Sequence, residues 1–291
     1  MPNNPTDSVG AVMVLYEPDW DVTGKAIEAL APQVNMLCIV DNTPQAVDAG
    51  RFAPHDNVHY IPLNANKGIA AAQNEGARFL LNQGMSFLLF SDQDTLAPEN
   101  LVAGLMEDYK ILEAENCNVG LIGPVPVNKV TGQPYTSKVR AIKEIECHGR
   151  KLTECQYIIS SYSLIPSSSI KKGGEFMEKL FVDFVDNEWC FRLHHRTGLS
   201  PYISRRLAVS HELGKSKKFL GKQINVSSPF RLYFQIRNYF LVKKLEYIPA
   251  DWLKGVRNKL IPKLLFYPIV PKDRCLYMKS IVRGLRDGLK S

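Results

Sequence analysis

The stretch Met85–Thr95, MSFLLFSDQDT, decides how this chain reads. An apolar run, Phe87 to Phe90, passes directly into Ser91-Asp92-Gln93-Asp94-Thr95. A run of that length with polar ends suits a strand buried in a parallel sheet. Side chains alternate along a strand, so Asp92 and Asp94 are expected on one side and Gln93 on the other. Open α/β sheets bind ligands at the carboxyl ends of their strands, where these two carboxylates fall. Hard oxygen donors of this kind suit Mg²⁺ or Mn²⁺ bridging a diphosphate. Taken alone, D-x-D also describes a solvated acidic turn, so the rest of the chain has to decide.

The same pattern recurs on both sides of that stretch. Val9–Tyr16 (VGAVMVLY), Met36–Val40 (MLCIV), Val58–Pro62 and Val119–Val125 each read as a strand. Between them, residues 21–30, 69–82 and 98–115 have helical spacing; the second is rich in Ala and Leu and is stopped by Gly84. This alternation predicts an α/β fold, a Rossmann-like, mainly parallel sheet with helices on both faces. Polar tips at Asp41-Asn42, Asn66-Lys67-Gly68 and Asp92–Asp94 would then share one edge and border a nucleotide-sized crevice.

The second half is less regular. Residues 127–150 read as loops and antiparallel strands, and the uncharged stretch 156–169 as a buried strand and turn. Residues 182–196 (VDFVDNEWCFRLHHR) begin acidic and become an amphipathic helix. A strand follows over 202–211, ending in Ser210-His211-Glu212, and then a helix with aromatic and basic faces over 229–244.

Charge is unevenly placed. Residues 229–291 hold 14 Lys and Arg against 4 Asp and Glu, while the rest of the chain holds 22 against 25. The net +7 therefore belongs to the C-terminal fifth and is no nucleic-acid footprint over the whole protein. Six scattered cysteines without C-x-x-C argue for free thiols in a reducing compartment. The N-terminal MPNNPTDSVG has neither a basic nor an apolar signal region, and no apolar run reaches the ~18 residues of a membrane span. The expectation is a cytoplasmic protein.

Neither G-x-G-x-x-G nor G-x-x-x-x-G-K-[ST] is present, so a phosphate ligand would have to be held by metal rather than by a glycine-rich cradle. VMVLYEP, IVDN (39–42), NANKGIAAAQNEG and SDQDT, in that order, resemble an inverting family-2 glycosyltransferase of the GT-A fold. SSYSLIPSSSIKKGGEF, VDFVDNEWCFR and SPFRLYFQIRNYF extend the resemblance to roughly residues 8–245, and the whole set is similar to bacterial rhamnosyltransferases of O-antigen and other surface-polysaccharide assembly. The resemblance implies a catalytic domain over 1–228, nucleotide-binding over 8–125 and acceptor-side over 126–228. A basic, aromatic helical extension would follow over 229–291.

The resemblance also implies roles. Asp92 and Asp94 match the metal motif, and His211 a histidine that completes the metal shell. Asp41 matches the acid that contacts the nucleoside base, and Lys67-Gly68 the loop beside the nucleotide. Val14 and Tyr16 would border the base, with Asn74 and Ser91 in the same nucleotide-sugar set. Asp186 matches the general base. Where many relatives have Glu-Asp, this chain has Val185-Asp186, and Asp183 and Glu188 lie close enough to compete.

Read without the family, several of these residues have plainer roles. Asp186 suits a helix N-terminus stabilised by the macrodipole, Asp41 a turn after a strand, and His211 an ordinary strand end. The basic aromatic C-terminal segment suits either anionic lipid headgroups or packing onto the catalytic domain.

The implied activity is metal-dependent transfer of L-rhamnose from dTDP-L-rhamnose to a lipid-linked saccharide, at the cytoplasmic face of the inner membrane. A UDP-sugar donor is the alternative among enzymes, and a non-catalytic nucleotide-sugar or polyanion-binding protein the alternative outside them. Self-association into a homo-oligomer is left open.

Overall fold

The computed structural model describes residues 7–52, 55–129, 131–135, 140–211, 216–219 and 222–290, with the backbone alone for 216–219 and 222–225. The first six residues, part of the expected 127–150 region, and Glu212 lie outside the described residues.

The chain begins β1 (Val9–Leu15), α1 (Trp20–Leu30), β2 (Met36–Asp41), β3 (Val58–Pro62), α2 (Ile69–Asn82), β4 (Phe87–Asp92), α3 (Leu101–Ala114) and β5 (Val119–Asn128). All seven residues of β1 are buried, as expected for a strand covered on both faces. Its odd positions Val9, Ala11, Met13 and Leu15 pack with α1 and α3. Its even positions Val12 and Val14 pack with α2 on the other face. The sheet is thus the middle of three layers.

Register sets the functional edge. Leu15 of β1 pairs with Asp41 of β2, and Asp41 pairs with Pro62 of β3. On the other side, Val14 pairs with Asp92 of β4. These parallel pairings bring the carboxyl ends of four strands level, which gathers the predicted polar tips on one edge.

The second half adds β6 (Ala141–Cys147), β7 (Arg150–Cys155), β8 (Ser163–Pro166), α4 (Ser167–Gly173), α5 (Val185–Thr197) and β9 (Ser200–His211). One sheet joins all nine strands in the order β3-β2-β1-β4-β8-β5-β9-β7-β6. β8 enters antiparallel between β4 and β5, and β6 and β7 form an antiparallel hairpin on β9. The parallel run therefore occupies one side and the sheet is mixed on the other. β9 runs parallel to β5, with His211 opposite Asn128, so His211 reaches the same edge as Asp92.

A two-stranded antiparallel pair, β10 (Ser216–Phe219) and β11 (Lys222–Asn225), precedes α6 (Pro229–Val242), α7 (Ala250–Phe266) and α8 (Arg274–Lys290). Pro229 stands at the start of α6, and the Ser228 hydroxyl caps it by accepting from the Arg231 amide. The expected boundary at 228/229 is not a break in packing. Trp252 of α7 is buried against the rings of Phe184 and Phe191, and Phe234 of α6 stacks on Phe181 at 4.7 Å. Leu232, Ile236, Leu260, Tyr267, Tyr277 and Ile281 form a further apolar cluster joining α6, α7 and α8. Among the described residues no helix is long and apolar enough to cross a membrane.

Candidate active site

A crevice of about 780 Å³ opens at the carboxyl edge of the sheet. Asp92 from β4, His211 from β9 and Asp186 from α5 all line it. His211 Nδ1 stands 3.8 Å from Asp92 Oδ2, so the ends of two separate strands bring a carboxylate and an imidazole face to face. Asp94 lies just past the strand. β4 ends at Asp92 and the chain turns at Gln93-Asp94, leaving Asp94 exposed with the Thr95 hydroxyl donating to its Oδ1 at 3.3 Å. Strand periodicity stops where the strand stops. The Tyr162 phenol is pushed up first by burial and then by the nearby Asp92 and Asp94 carboxylates.

Gln93, between the two aspartates, holds the edge together. Its Oε1 accepts from the Tyr16 amide at 2.8 Å and its Nε2 donates to the Tyr16 carbonyl at 3.0 Å. Tyr16 is 42% exposed beside the crevice edge, whereas Val14 lies within the core. Ser91 is buried too, its hydroxyl 3.5 Å from the Val12 carbonyl.

Asp41 is fully buried, and its carboxylate serves its own loop. It accepts from the amides of Thr43 and Val47, each at 2.9 Å, and from the Tyr60 hydroxyl at 2.7 Å. Burial alone would raise its pKa, but bonds from Val47, Thr43 and Tyr60 together outweigh it and hold the carboxyl below its ordinary range. In this arrangement Asp41 positions the loop after β2 rather than facing the crevice.

Its neighbour Asn42 organises the next loop. Asn42 Oδ1 accepts from the Lys67 amide at 2.7 Å, and Asn42 Nδ2 donates to Asn66 Oδ1 at 3.1 Å. Lys67 is exposed at the rim. Gly68 has φ +86, and a Cβ there would stand 2.7 Å from the Phe181 ring and carbonyl. Only glycine allows both the dihedral and that approach. Asn74 does not line the crevice. It is 1% exposed and committed to the Phe176 backbone and Glu178, which ties α2 to the loop after α4.

The loop before α5 is strained. Phe181, Asp183 and Phe184 all have φ between 62 and 70, the left-handed region that bulky residues avoid. α6 holds it there. Asn238, fully buried, shares its side-chain N–H groups among the carbonyls of Leu180, Val182 and Asp183 at 2.8, 2.8 and 3.1 Å. Arg237 donates to the carbonyls of Lys179 and Leu180. Arg231 pairs with both oxygens of Asp183, at 2.6 and 3.1 Å.

The three candidate bases differ in their surroundings, and Asp183 and Asp186 both line the crevice. Asp183 is held by Arg231. Glu188 is fully buried and bound by Arg192 at 2.7 Å and by the Tyr247 hydroxyl at 2.6 Å, a structural ion pair inside the domain. Asp186 lines the crevice in the first turn of α5.

From the C-terminal helices, Arg231, Lys259 and Lys263 bring cations to the same crevice. Lys263 donates to Gln235 Oε1 at 2.8 Å and Ser227 Oγ at 3.2 Å. Burial pushes its pKa down to about 8, against the pull of Asp183 and with added lowering from Arg231 and Lys259.

A divalent cation fits this donor set in part. Asp92 and His211 offer one hard oxygen and one imidazole, but among the described residues no group of three His, Cys, Asp or Glu side chains comes together. Mg²⁺ and Mn²⁺ sites of this type draw their remaining ligands from substrate phosphates and water.

Residues 11–174, more than half of the chain, match the model of Glycosyl transferase family 2. The chain belongs to that family. This glycosyltransferase is 28% identical to the dTDP-rhamnosyl transferase RfbF of Shigella flexneri, over 97% of its own length and 96% of the relative's. It is 20% identical to the low-salt glycan biosynthesis hexosyltransferase Agl10 of Haloferax volcanii, over 98% and 92%. The fold is GT-A. The structure of S. aureus TarS 1-349 aligns with a TM-score of 0.57 at 11% identity, covering 96% of this chain and 81% of that one. A structure of GalNAc-T7 with UDP, GalNAc and Mn²⁺ aligns with a TM-score of 0.55 at 13% identity; it covers 90% of this chain but only 57% of that protein.

The structure brings Asp92, His211 and Asp186 to one crevice, and it shows contacts of three residues that sequence reasoning did not name for the site, Gln93, Asn42 and Asn238. Gln93 and Asn42 sit inside motifs already singled out, so their position was available and only their partners were not. Nothing in the local sequence marks Asn238, because its partners lie 55 to 58 residues away.

Proposed function

We propose that this glycosyltransferase moves L-rhamnose from dTDP-L-rhamnose to a lipid-linked saccharide during surface-polysaccharide assembly, with inversion at the anomeric carbon. The observation that carries the reading is the meeting of Asp92, His211 and Asp186 in one crevice that cations also line. The full-length likeness to a dTDP-rhamnosyl transferase supports the choice of donor.

Asp186 takes the proton of the acceptor hydroxyl. The acceptor oxygen then forms its bond to the anomeric carbon from the face opposite the diphosphate, while the bond from that carbon to the diphosphate oxygen breaks. Asp92 and His211 would hold Mg²⁺ or Mn²⁺, which when bound supplies positive charge to the diphosphate. Arg231, Lys259 and Lys263 add fixed positive charge around an anionic substrate. The strained 181–184 loop keeps the base in place, and the Gly68 contact seats that loop on α2.

The C-terminal helices support a peripheral position on a membrane. Ile261, Leu265, Ile269, Val282 and Leu289 are exposed apolar side chains on a segment dense in Lys and Arg. Each cation near an anionic lipid surface contributes about 1 kcal/mol.

Calorimetric titration with dTDP-rhamnose and a panel of UDP- and GDP-sugars, with Mn²⁺ or Mg²⁺ and again with EDTA, tests the reading. Metal-dependent binding of dTDP-rhamnose alone is expected. Selective binding of a UDP-sugar, the nucleotide present in the GalNAc-T7 structure, would keep the chemistry and discard the rhamnosyl assignment.

A further inference from the structure

Most polar groups lining the crevice have partners within the protein, as Asp183 has in Arg231 and Lys263 has in Gln235. Gln73 Oε1 and Ser161 Oγ have no hydrogen-bond partner among the described residues, although their residues are only 5% and 6% exposed. Both residues line the crevice. An unmatched buried polar atom costs about 1–3 kcal/mol, so two of them in one crevice call for an occupant that pairs with them.

We propose that Gln73 and Ser161 form the subsite that reads the hydroxyl groups of the transferred sugar, a proposal that rests on the glycosyltransferase reading above. Gln73 Nε2 donates to Ser160 Oγ at 3.2 Å, which leaves the amide oxygen as a bare acceptor. With the amide reversed, the spare end becomes a donor, and a hydroxyl pairs with either. In the orientation observed the spare atom is an acceptor, and an ionised diphosphate has no proton to offer it, whereas a sugar hydroxyl has.

The position also favours the sugar. Ser161 bridges to Phe90, two residues before Asp92 on the same strand, so the subsite lies beside the expected diphosphate end. The sugar leaving the diphosphate is the nearest saccharide to that point. The turn bearing the serines is strained: Tyr162 has φ +56, its side chain is fully buried, and its hydroxyl donates to the Thr95 carbonyl at 2.5 Å. Such strain in a bulky residue persists where a site needs it.

Gln73→Met and Ser161→Ala test the assignment. Each full-length protein would be titrated, with Mn²⁺, against dTDP-, UDP- and GDP-sugars and against the parent nucleoside diphosphates. Whichever nucleotide sugar the wild type binds, each variant should lose roughly tenfold in affinity for it while holding the parent diphosphate within about twofold. Ser161→Ala should melt no lower than wild type, because it removes a hydroxyl that the protein leaves unpaired. Unchanged sugar affinity, an equal loss for the parent diphosphate, or a lowered Tm for Ser161→Ala would each overturn the subsite. Failure of the wild type to bind any nucleotide sugar would instead break the transfer reading, and the subsite with it.

Discussion

The two ends of the crevice are held by different means. Asp92 and His211 stand at the ends of sheet strands, and the register of the sheet brings them to one edge. Asp186 follows a loop in left-handed conformations that local sequence cannot hold, and α6 fixes that loop through Asn238, Arg237 and Arg231. The diphosphate end is therefore built by the sheet, and the base end by a loop that a C-terminal helix holds in place. The C-terminal helices hold the base loop and also bring Arg231, Lys259 and Lys263 to the crevice.

The sharpest way to break this contrast is at Gly68. Gly68→Ala would combine a left-handed φ with a Cβ 2.7 Å from the Phe181 carbonyl, and should cost about 3 kcal/mol or more in denaturant unfolding. Gly84, past the other end of α2, has φ +75 with open space around it, so Gly84→Ala should cost only about 1 kcal/mol. Equal losses would mean that the contact between α2 and the base loop contributes nothing.

Asn238→Ala separates the two ends more gently. It removes the bonds to the carbonyls of the 180–183 segment, and should lower stability by about 2 kcal/mol. Turnover should fall at least tenfold, while affinity for the nucleotide sugar stays within about twofold. A matching loss of donor affinity would show that the ends are not independent.

The smallest expected effect concerns Lys263. Its pKa of about 8 in the folded protein lies below the ordinary lysine value of 10.5. Between those values the unfolded chain holds a proton that the folded one has released, so stability from this residue rises with pH. It is fully present above about pH 10.5 and lost as pH falls through about 8. Unfolding of wild type and Lys263→Met at pH 7.5 and pH 10 should show the difference moving in favour of wild type at the higher pH. A pH-independent difference would place Lys263 in water.

The contrast also explains what the sequence could show. Apolar runs ending in polar tips made β1, β2, β3, β4 and α2 readable within a residue or so, and with them Asp92. Those elements are determined by their own hydrophobic pattern. Asp94 lies past the end of β4, where strand alternation no longer fixes the direction of a side chain. Asn74 and Asp41 were matched by position in a motif, and the bonds that their buried side chains make to the surrounding loops could not be read from it. The base region was legible as an acidic cluster only. The partners of Asp183 and Glu188, which are Arg231, Arg192 and Tyr247, arrive from other turns of the chain and could not be read locally.

The central claim is that Asp186 activates the acceptor while the opposite end of the crevice binds the donor. Asp186→Asn keeps the shape of the side chain and removes its basicity. With dTDP-rhamnose as donor and a lipid-linked saccharide as acceptor, donor affinity by calorimetry should remain within about twofold of wild type, and transfer should fall by roughly a thousandfold. Transfer within tenfold of wild type, with the variant folded and donor bound, would contradict the account.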